Sequence, residues 1–443
     1  MAEEYDPAGL LYYLPPELLR NIFIYLPAKT LIRCRKVSPT WRSVIDSLSK
    51  NDKIWKRHCI EDFPKTYETA RKKARPGLSW YNLYRSLSMW ASLVKAAEER
   101  EEFALATKSF QEIRNFNILN NGVIGVLKKG SIVYYDIETL ELSHRPPMMG
   151  EYSKYTETDT VIVILGYDSH LFVIRKVERT DQDANRNEAI TYNNVKQFTL
   201  TGEELYFVNR NNDIFVVYLC CRKLHAFYIL RSLRTVMTLG YSDGKLNILT
   251  VQREIYSIEN GNSCVMKAIL DSNANILQQL QKFHFLENMD WRLYFQCMCI
   301  WNQAIPSGPL RDLVSIKQHG DVFFVGSYWG VLRIYYAPFT DGEFDIFNSR
   351  PVKQYNLMDA QDAVQLSVCP ILNVDVMEEY DGHKVIIAMP RKITVINFKH
   401  DFETEPPRKY RGPMLAEIPE NAEINLDAPG TSKDYGVKFH DHE

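Results

Sequence analysis

The sequence predicts an α plus all-β chain, in which a small basic helical module precedes a large ring of β-hairpins. Three observations carry that expectation. Apolar residues recur at helical spacing up to about residue 100 and alternate strictly beyond it. Charge divides at the same place: residues 1–100 hold 18 Lys/Arg against 11 Asp/Glu, whereas the remaining 343 hold 35 against 44. Turn residues then recur about every 43 residues.

Composition narrows the class. At 45% hydrophobic and 24% charged, the 443 residues have globular proportions, which excludes bulk disorder. A net charge of −2 argues against binding a polyanion through overall charge, so no nucleic-acid partner is expected. The longest apolar runs, Thr160 to Leu165 and Ile214 to Cys221, fall far short of the ~18 residues of a membrane span. Met1 to Asp6 is acidic where an export signal would be basic and then apolar. The eight cysteines therefore read as reduced thiols in the cytoplasm or nucleus.

The helical module is well punctuated. Pro15 and Pro16 open a helix at its first turn, where a missing N–H costs nothing. Leu18, Leu19, Ile22, Phe23 and Leu26 form two adjacent apolar stripes, and Pro27 ends the run. A short segment with Leu31, Cys34 and Val37 follows. Ser38 then reads as an N-cap with Pro39 behind it, starting a helix with Trp41, Val44, Ile45 and Leu48. Asn51 and Asp52 begin a fourth helix carrying Ile54 and Trp55. Three short helices cannot cover both stripes of the first, so part of that surface is expected to meet a partner.

The segment Leu14 to Trp41, LPPELLRNIFIYLPAKTLIRCRKVSPTW, resembles an F-box, with Trp41-Arg42 and Ile54-Trp55-Lys56 continuing the pattern. The likeness covers residues 10–60, with a looser continuation through Phe63 and Ser79 to Tyr84. It implies binding to the Skp adaptor, and through it to the cullin-RING core of a ubiquitin ligase. Carried over by position, the adaptor contact is Leu14, Pro15, Leu18, Ile22, Leu26, Leu31, Val37 and Trp41. Phe23, Val44, Ile45 and Leu48 are expected to be core. The adaptor family is acidic, and the basic charge of this module would steer docking.

Residues 61–107 read as a helical linker region. The basic cluster Arg71 to Arg75 is compatible with a nuclear-import patch or an ordinary solvated helix face. Trp80, Leu83, Leu87, Trp90 and Val94 continue at helical spacing, and an unbroken helix of ~25 residues would be a spacer about 37 Å long.

From residue 108 to 400 the chain repeats alternating strands around short turns at Gly130, Asp168, Asn212, Gly244, Asn288, Gly330 and Arg391. Units of this length with paired strands indicate four-stranded blades, hence a β-propeller of about seven blades. Val133 to Thr139 resembles the end of a WD repeat, with Tyr135 in place of Trp. The 61 residues between the last two turns suggest an insertion between Thr340 and Val376. Residues 178–189 read as a mobile loop and 401–443 as a disordered tail.

Candidate chemistry is sparse, and no cofactor or metal is expected. Cys297-Met298-Cys299 alternates as on a strand, but lacks the second Cys or His pair of a zinc site. His440-Asp441-His442 lies in the tail. Gly240 to Lys245 has the wrong spacing for a phosphate loop and sits between strands, so it reads as a hairpin. The remaining candidates are turn and blade-end residues, Arg210, Arg234, Arg253, Tyr328 and Arg333, which could read an acidic or phosphorylated protein target. The reading is a non-catalytic substrate receptor of a cullin-RING ligase. The alternatives are an F-box scaffold without ligase activity and a propeller enzyme with its site in the channel.

Overall fold

The computed structural model describes residues 14–176, 189–221, 223–259, 263–270, 276–300, 312–338, 349–358 and 368–400. The expected tail, the 178–188 loop and the His440-Asp441-His442 trio lie outside them. No helix among the described residues is long and apolar enough to cross a membrane.

Proline and cap residues set the helical module as the sequence predicts. Helix α1 (Pro16–Phe23) starts directly after Pro15, and α2 (Ala28–Cys34) directly after Pro27. Helix α3 (Pro39–Leu48) is capped by Ser38, whose Oγ accepts from the Trp41 amide at 3.2 Å. Asn51 caps α4 (Asp52–Asp62) in the same way through Lys53. Their shared core gathers Leu19, Phe23, Leu31, Val44, Ile45, Leu48 and the fully buried Trp55, whose indole N–H donates to the Leu48 carbonyl at 3.0 Å. Helices α5 (Tyr67–Lys73) and α6 (Trp80–Met89) complete the module, with Leu83, Tyr84 and Leu87 closing its core.

The expected long spacer does not form. A 3₁₀ turn (Trp90–Lys95) ends the helical part, and Ala97–Phe103 is a strand, β1. Its sequence, AEEREEF, favours helix locally. Ring closure overrides that preference, because β1 supplies the outer strand of the last sheet.

Six four-stranded antiparallel sheets follow one another among the described residues. The first is β2 (Ile113–Ile118), β3 (Val123–Lys128), β4 (Ser131–Asp136) and β5 (Met148–Met149). The second is β6 (Tyr152–Glu157), β7 (Val161–Gly166), β8 (Leu171–Arg175) and β9 (Ala189–Tyr192). The third is β10 (Val195–Leu200), β11 (Glu204–Asn209), β12 (Asp213–Tyr218) and β13 (Ala226–Arg231). The fourth is β14 (Val236–Ser242), β15 (Lys245–Thr250), β16 (Glu254–Glu259) and β17 (Ser263–Ile269). The fifth is β18 (Leu313–His319), β19 (Val322–Ser327), β20 (Val331–Tyr336) and β21 (Lys353–Asn356). The sixth is β22 (Asn373–Glu378), β23 (Gly382–Ala388) and β24 (Ile393–Lys399), with β1 paired to β24 from Ala97↔Lys399 to Phe103↔Ile393. The first strands of neighbouring sheets pack around a common axis: β2 on β6 and β22, β10 on β14, β18 on β22.

Between the fourth and fifth sheets stands a helical wedge: α7 (Ile276–Lys282), a 3₁₀ turn (Leu286–Asn288) and α8 (Trp291–Ile300). It fills the place of the seventh turn expected at Asn288. Phe285, Leu286, Trp291 and Tyr294 pack with Met237 and Leu249 of the fourth sheet and Leu313 and Phe323 of the fifth. Cys297 and Cys299 therefore lie on a helix, where two residues apart means nearly opposite sides, and not on one sheet face. Another turn shifts too. Asp243-Gly244 joins the first and second strands of its sheet, and the turn between the second and third lies at Arg253 (φ 70°).

Asn288 ties the wedge to the axis. Its Oδ1 accepts from Lys154 Nζ at 3.0 Å on β6, and its amide donates to Thr199 Oγ1 at 3.0 Å and to the Leu239 carbonyl at 3.3 Å. Its carbonyl accepts from Thr238 Oγ1 at 3.0 Å and Gln197 Nε2 at 3.3 Å. Asn288→Ala keeps the carbonyl and removes the three side-chain bonds. It should lower unfolding stability by about 2 kcal/mol, read by urea titration of tryptophan fluorescence.

Candidate protein-docking sites

Helix α1 presents two stripes with different fates. Leu19 and Phe23 are buried, and Phe23 meets Trp41 edge to face at 5.0 Å between ring centres. The neighbouring stripe stays open: Leu18 is 49% exposed, Ile22 44% and Tyr25 78%. Three small helices cannot wrap both sides, as their size dictates. Of the other residues assigned to adaptor contact, Pro15 and Val37 are exposed, and Leu14, Leu26 and Trp41 are half-buried. Leu31 is a correction. It is fully buried in the core of the module and offers no surface, because α2 turns it inward against α3. Tyr25, not among the residues assigned by position, lies three residues past Ile22 and extends the same exposed surface beyond the helix end. Residues 14–42 carry six Lys/Arg and one acidic residue, Glu17.

A buried polar joint fixes the module to the ring. Glu378, fully buried at the end of β22, accepts from Trp90 Nε1 at 3.0 Å and from the Ser86 hydroxyl. The same carboxylate meets His319 Nε2 at 2.6 Å and His383 Nδ1 at 2.7 Å. Burial alone would raise its pKa, but the two imidazoles and their hydrogen bonds hold it below the ordinary carboxylate range. Around it, Lys73 pairs with Asp375 at 2.6 Å, and Arg75 pairs with Glu379 at 3.3 Å and Glu138 at 2.9 Å. Burial opposes ionisation of Asp375 too, and Lys73 and Lys317 overcome it. Glu379 goes the other way, raised by burial despite Lys384 and Arg75. Arg71 donates to the Leu78 carbonyl and lies over the Trp80 ring, so Arg71, Lys73 and Arg75 of the basic cluster are engaged within the fold. Gly320 (φ 59°) sits beneath the module, where a Cβ would lie 2.9 Å from Thr66 Oγ1.

Ser86, His383 and Glu378 invite comparison with a hydrolase triad. The geometry argues otherwise: hydroxyl and carboxylate both address Nδ1 of the imidazole, so no proton can be relayed across the ring, and all three residues are buried.

Antiparallel order sorts the remaining candidates. In each sheet, turns between strands one and two and between three and four lie at one end. The two-to-three turns and the links to the next sheet lie at the other. The helical module docks at the first end, on β22 and β23. Arg210, Arg253 and Tyr328 sit in two-to-three turns and Arg234 in a link, so these four share the free end. Arg210 donates to Ser169 Oγ at 2.7 Å, and Arg234 lies 3.7 Å from Glu254. Arg333 departs from that set, lying mid-strand on β20 opposite Val325. A cavity of about 420 Å³ opens at the free end, lined by Arg114, Asp290, Trp291, Leu372 and Pro390 among others.

The amino-terminal geometry has a named counterpart: the model of the F-box domain matches residues 11–53. Residues 11–53 form an F-box domain. Mouse (Mus musculus) F-box only protein 44 is 38% identical over 55 residues, 12% of this chain and 20% of that protein. The chain thus matches about a fifth of that relative's length. F-box domains bind Skp adaptors within cullin-RING ligases, and the Leu18–Ile22–Tyr25 stripe beside the F-box core is an exposed apolar part of the match. Among solved structures, the N-terminal domain of Nup159 is similar at 9% identity and a TM-score of 0.39, over 69% of this chain and 96% of that one. BamB from Moraxella catarrhalis is similar at 11% identity and a TM-score of 0.39, over 68% and 98%.

The joint beside the F-box is pH-sensitive. Burial and the neighbouring His383 press the His400 imidazole down to about 3. Unfolded, it titrates near 6.5, so the unfolded chain binds the extra proton first and stability falls as pH drops below about 6.5. At pH 5 the loss is on the order of 2 kcal/mol. Buried His58 is lowered as well, chiefly by desolvation, and acts in the same direction. Glu378 adds its share only as pH falls below about 4.5, because its folded pKa is depressed. His400→Phe should therefore reduce, without abolishing, the drop in thermal midpoint between pH 7 and pH 5.

Proposed function

We propose that this chain is the substrate-recognition subunit of an SCF-type cullin-RING ubiquitin ligase. The F-box holds the Skp adaptor, and the free end of the sheet ring holds a protein target. The observation that carries the reading is the open Leu18–Ile22–Tyr25 stripe inside the F-box match, beside a core that buries Leu19, Phe23, Leu31, Val44, Ile45 and Leu48. Basic residues around the stripe suit an acidic adaptor. The buried joint supports the second half, since it seats the module at one end of the ring, away from the turn arginines and the cavity at the other. The chain itself performs no bond chemistry in this reading. It raises the local concentration of target lysines near a charged ubiquitin carrier.

Surface and core predict different losses. Leu18→Asp/Ile22→Asp should abolish co-purification with adaptor and cullin while leaving the thermal midpoint near wild type. Leu31→Ala should instead cost about 2–5 kcal/mol of stability, with adaptor affinity of the folded fraction retained. Adaptor capture at wild-type strength by the double variant would overturn the reading. Accumulation of a bound target in cells expressing that variant would separate a ligase subunit from a scaffold.

A further inference from the structure

The outer edges of the six sheets are not alike. Strand β1 ends its sheet with Glu98, Glu99, Glu101 and Glu102, a charged edge that discourages further pairing. Strand β5 has two residues, and β9 and β21 have four each, while β17, the edge of the fourth sheet, has seven with Lys267 set among them. Strand β13, the edge of the third sheet, has six residues, AFYILR, with charge only at its last position. Nothing among the described residues pairs with its outer side.

Its side chains stand open on both faces. Phe227 is 52% exposed and Tyr228 58%, and each rests on an aromatic of the strand behind it: Phe227 against Tyr218 and Tyr228 against Phe215, both at 5.8 Å between ring centres. Leu233, just past the strand, is 97% exposed. Along the chain the stretch around the strand is basic. No Asp or Glu occurs between Asp213 and Asp243, while Arg222, Lys223, Arg231 and Arg234 fall in that stretch together with His225. Asp213 engages Arg231 at 2.6 Å, and Lys223 and His225 are exposed beside the start of the strand.

We propose that β13 is an interaction edge that takes an extended, alternately apolar and acidic segment of another protein by strand addition. The free backbone groups of β13 supply the pairing, the apolar side chains of the segment line up on one face against Phe227 or Tyr228, and its carboxylates meet the basic flank. Charge selects an acidic partner over a second copy, because two copies of this edge would bring like-charged flanks together. The proposal is independent of the ligase reading, which uses α1 and the free end of the ring.

The test uses the full chain and a fluorescein-labelled synthetic peptide of alternating glutamate and valine. Anisotropy should rise on binding, and amides of residues 226–231 should exchange more slowly with solvent in the complex. Phe227→Glu/Tyr228→Glu alters exposed side chains only, so its thermal midpoint should stay near wild type while binding weakens by roughly tenfold or more. Lys223→Glu/His225→Glu should reverse the preference toward a lysine–valine peptide. Absence of binding, binding that survives Phe227→Glu/Tyr228→Glu, or binding without added protection at 226–231 would each overturn the proposal. A wild-type dimer converted to monomer by Phe227→Glu/Tyr228→Glu would assign the edge to a second copy and overturn it as well.

Discussion

Pairing of Ala97–Phe103 with Ile393–Lys399 is the constraint from which the arrangement follows. It joins the segment that leaves the helical module to the last strand of the ring, so the last sheet is completed by the first strand. One consequence is mechanical. The module cannot drift from the sixth sheet, because its final turn runs directly into that sheet's edge. The buried Glu378 joint then fixes the angle: Ser86 and Trp90 reach it from the helical side, and His319 and His383 from the ring. A buried carboxylate without these partners would be costly, so each element that supplies one is held in place by the others.

Much of the fold was legible because its signals are local. The prolines and caps that start α1, α2, α3 and α4 act within a few residues, and so do the turns at Gly130, Asp168, Asn212, Gly330 and Arg391. The misreadings share one cause: a long-range demand overrode a local pattern. AEEREEF has the composition of a helix and becomes a strand because the sixth sheet lacks one. Cys297-Met298-Cys299 reads like a strand, yet it belongs to α8, whose Trp291, Leu293, Tyr294 and Cys297 pack in the cluster between two sheets. A period of two in such a segment carries no strand information.

The exposed stripe of α1 was legible in part, for a related reason. Spacing located both rows of α1 without saying which one α3 would cover. Packing decides in favour of Leu19 and Phe23, leaving Leu18 and Ile22 outside. Leu31 shows the same limit, since a family motif marks positions that matter without separating those that hold the domain from those that touch a partner. Tyr25 falls between the i, i+4 rows, which run from Ile22 on to Leu26, and is exposed because the helix ends at Phe23.

The wedge bears on how such a ring stays closed. Between the fourth and fifth sheets the helical wedge stands where a further sheet would pair. The 3₁₀ turn at Leu286–Asn288 packs against both β14 and β18. Asn288 meets groups from β6, β10 and β14 with one side chain and one carbonyl. A helix pair can do this where no seventh sheet occurs among the described residues, because its apolar residues face both neighbouring sheets while Asn288 at its tip serves the axis. Closure of the ring is therefore distributed between two unlike devices: a strand borrowed from the beginning of the chain on one side, and a helical plug with a polar tip on the other.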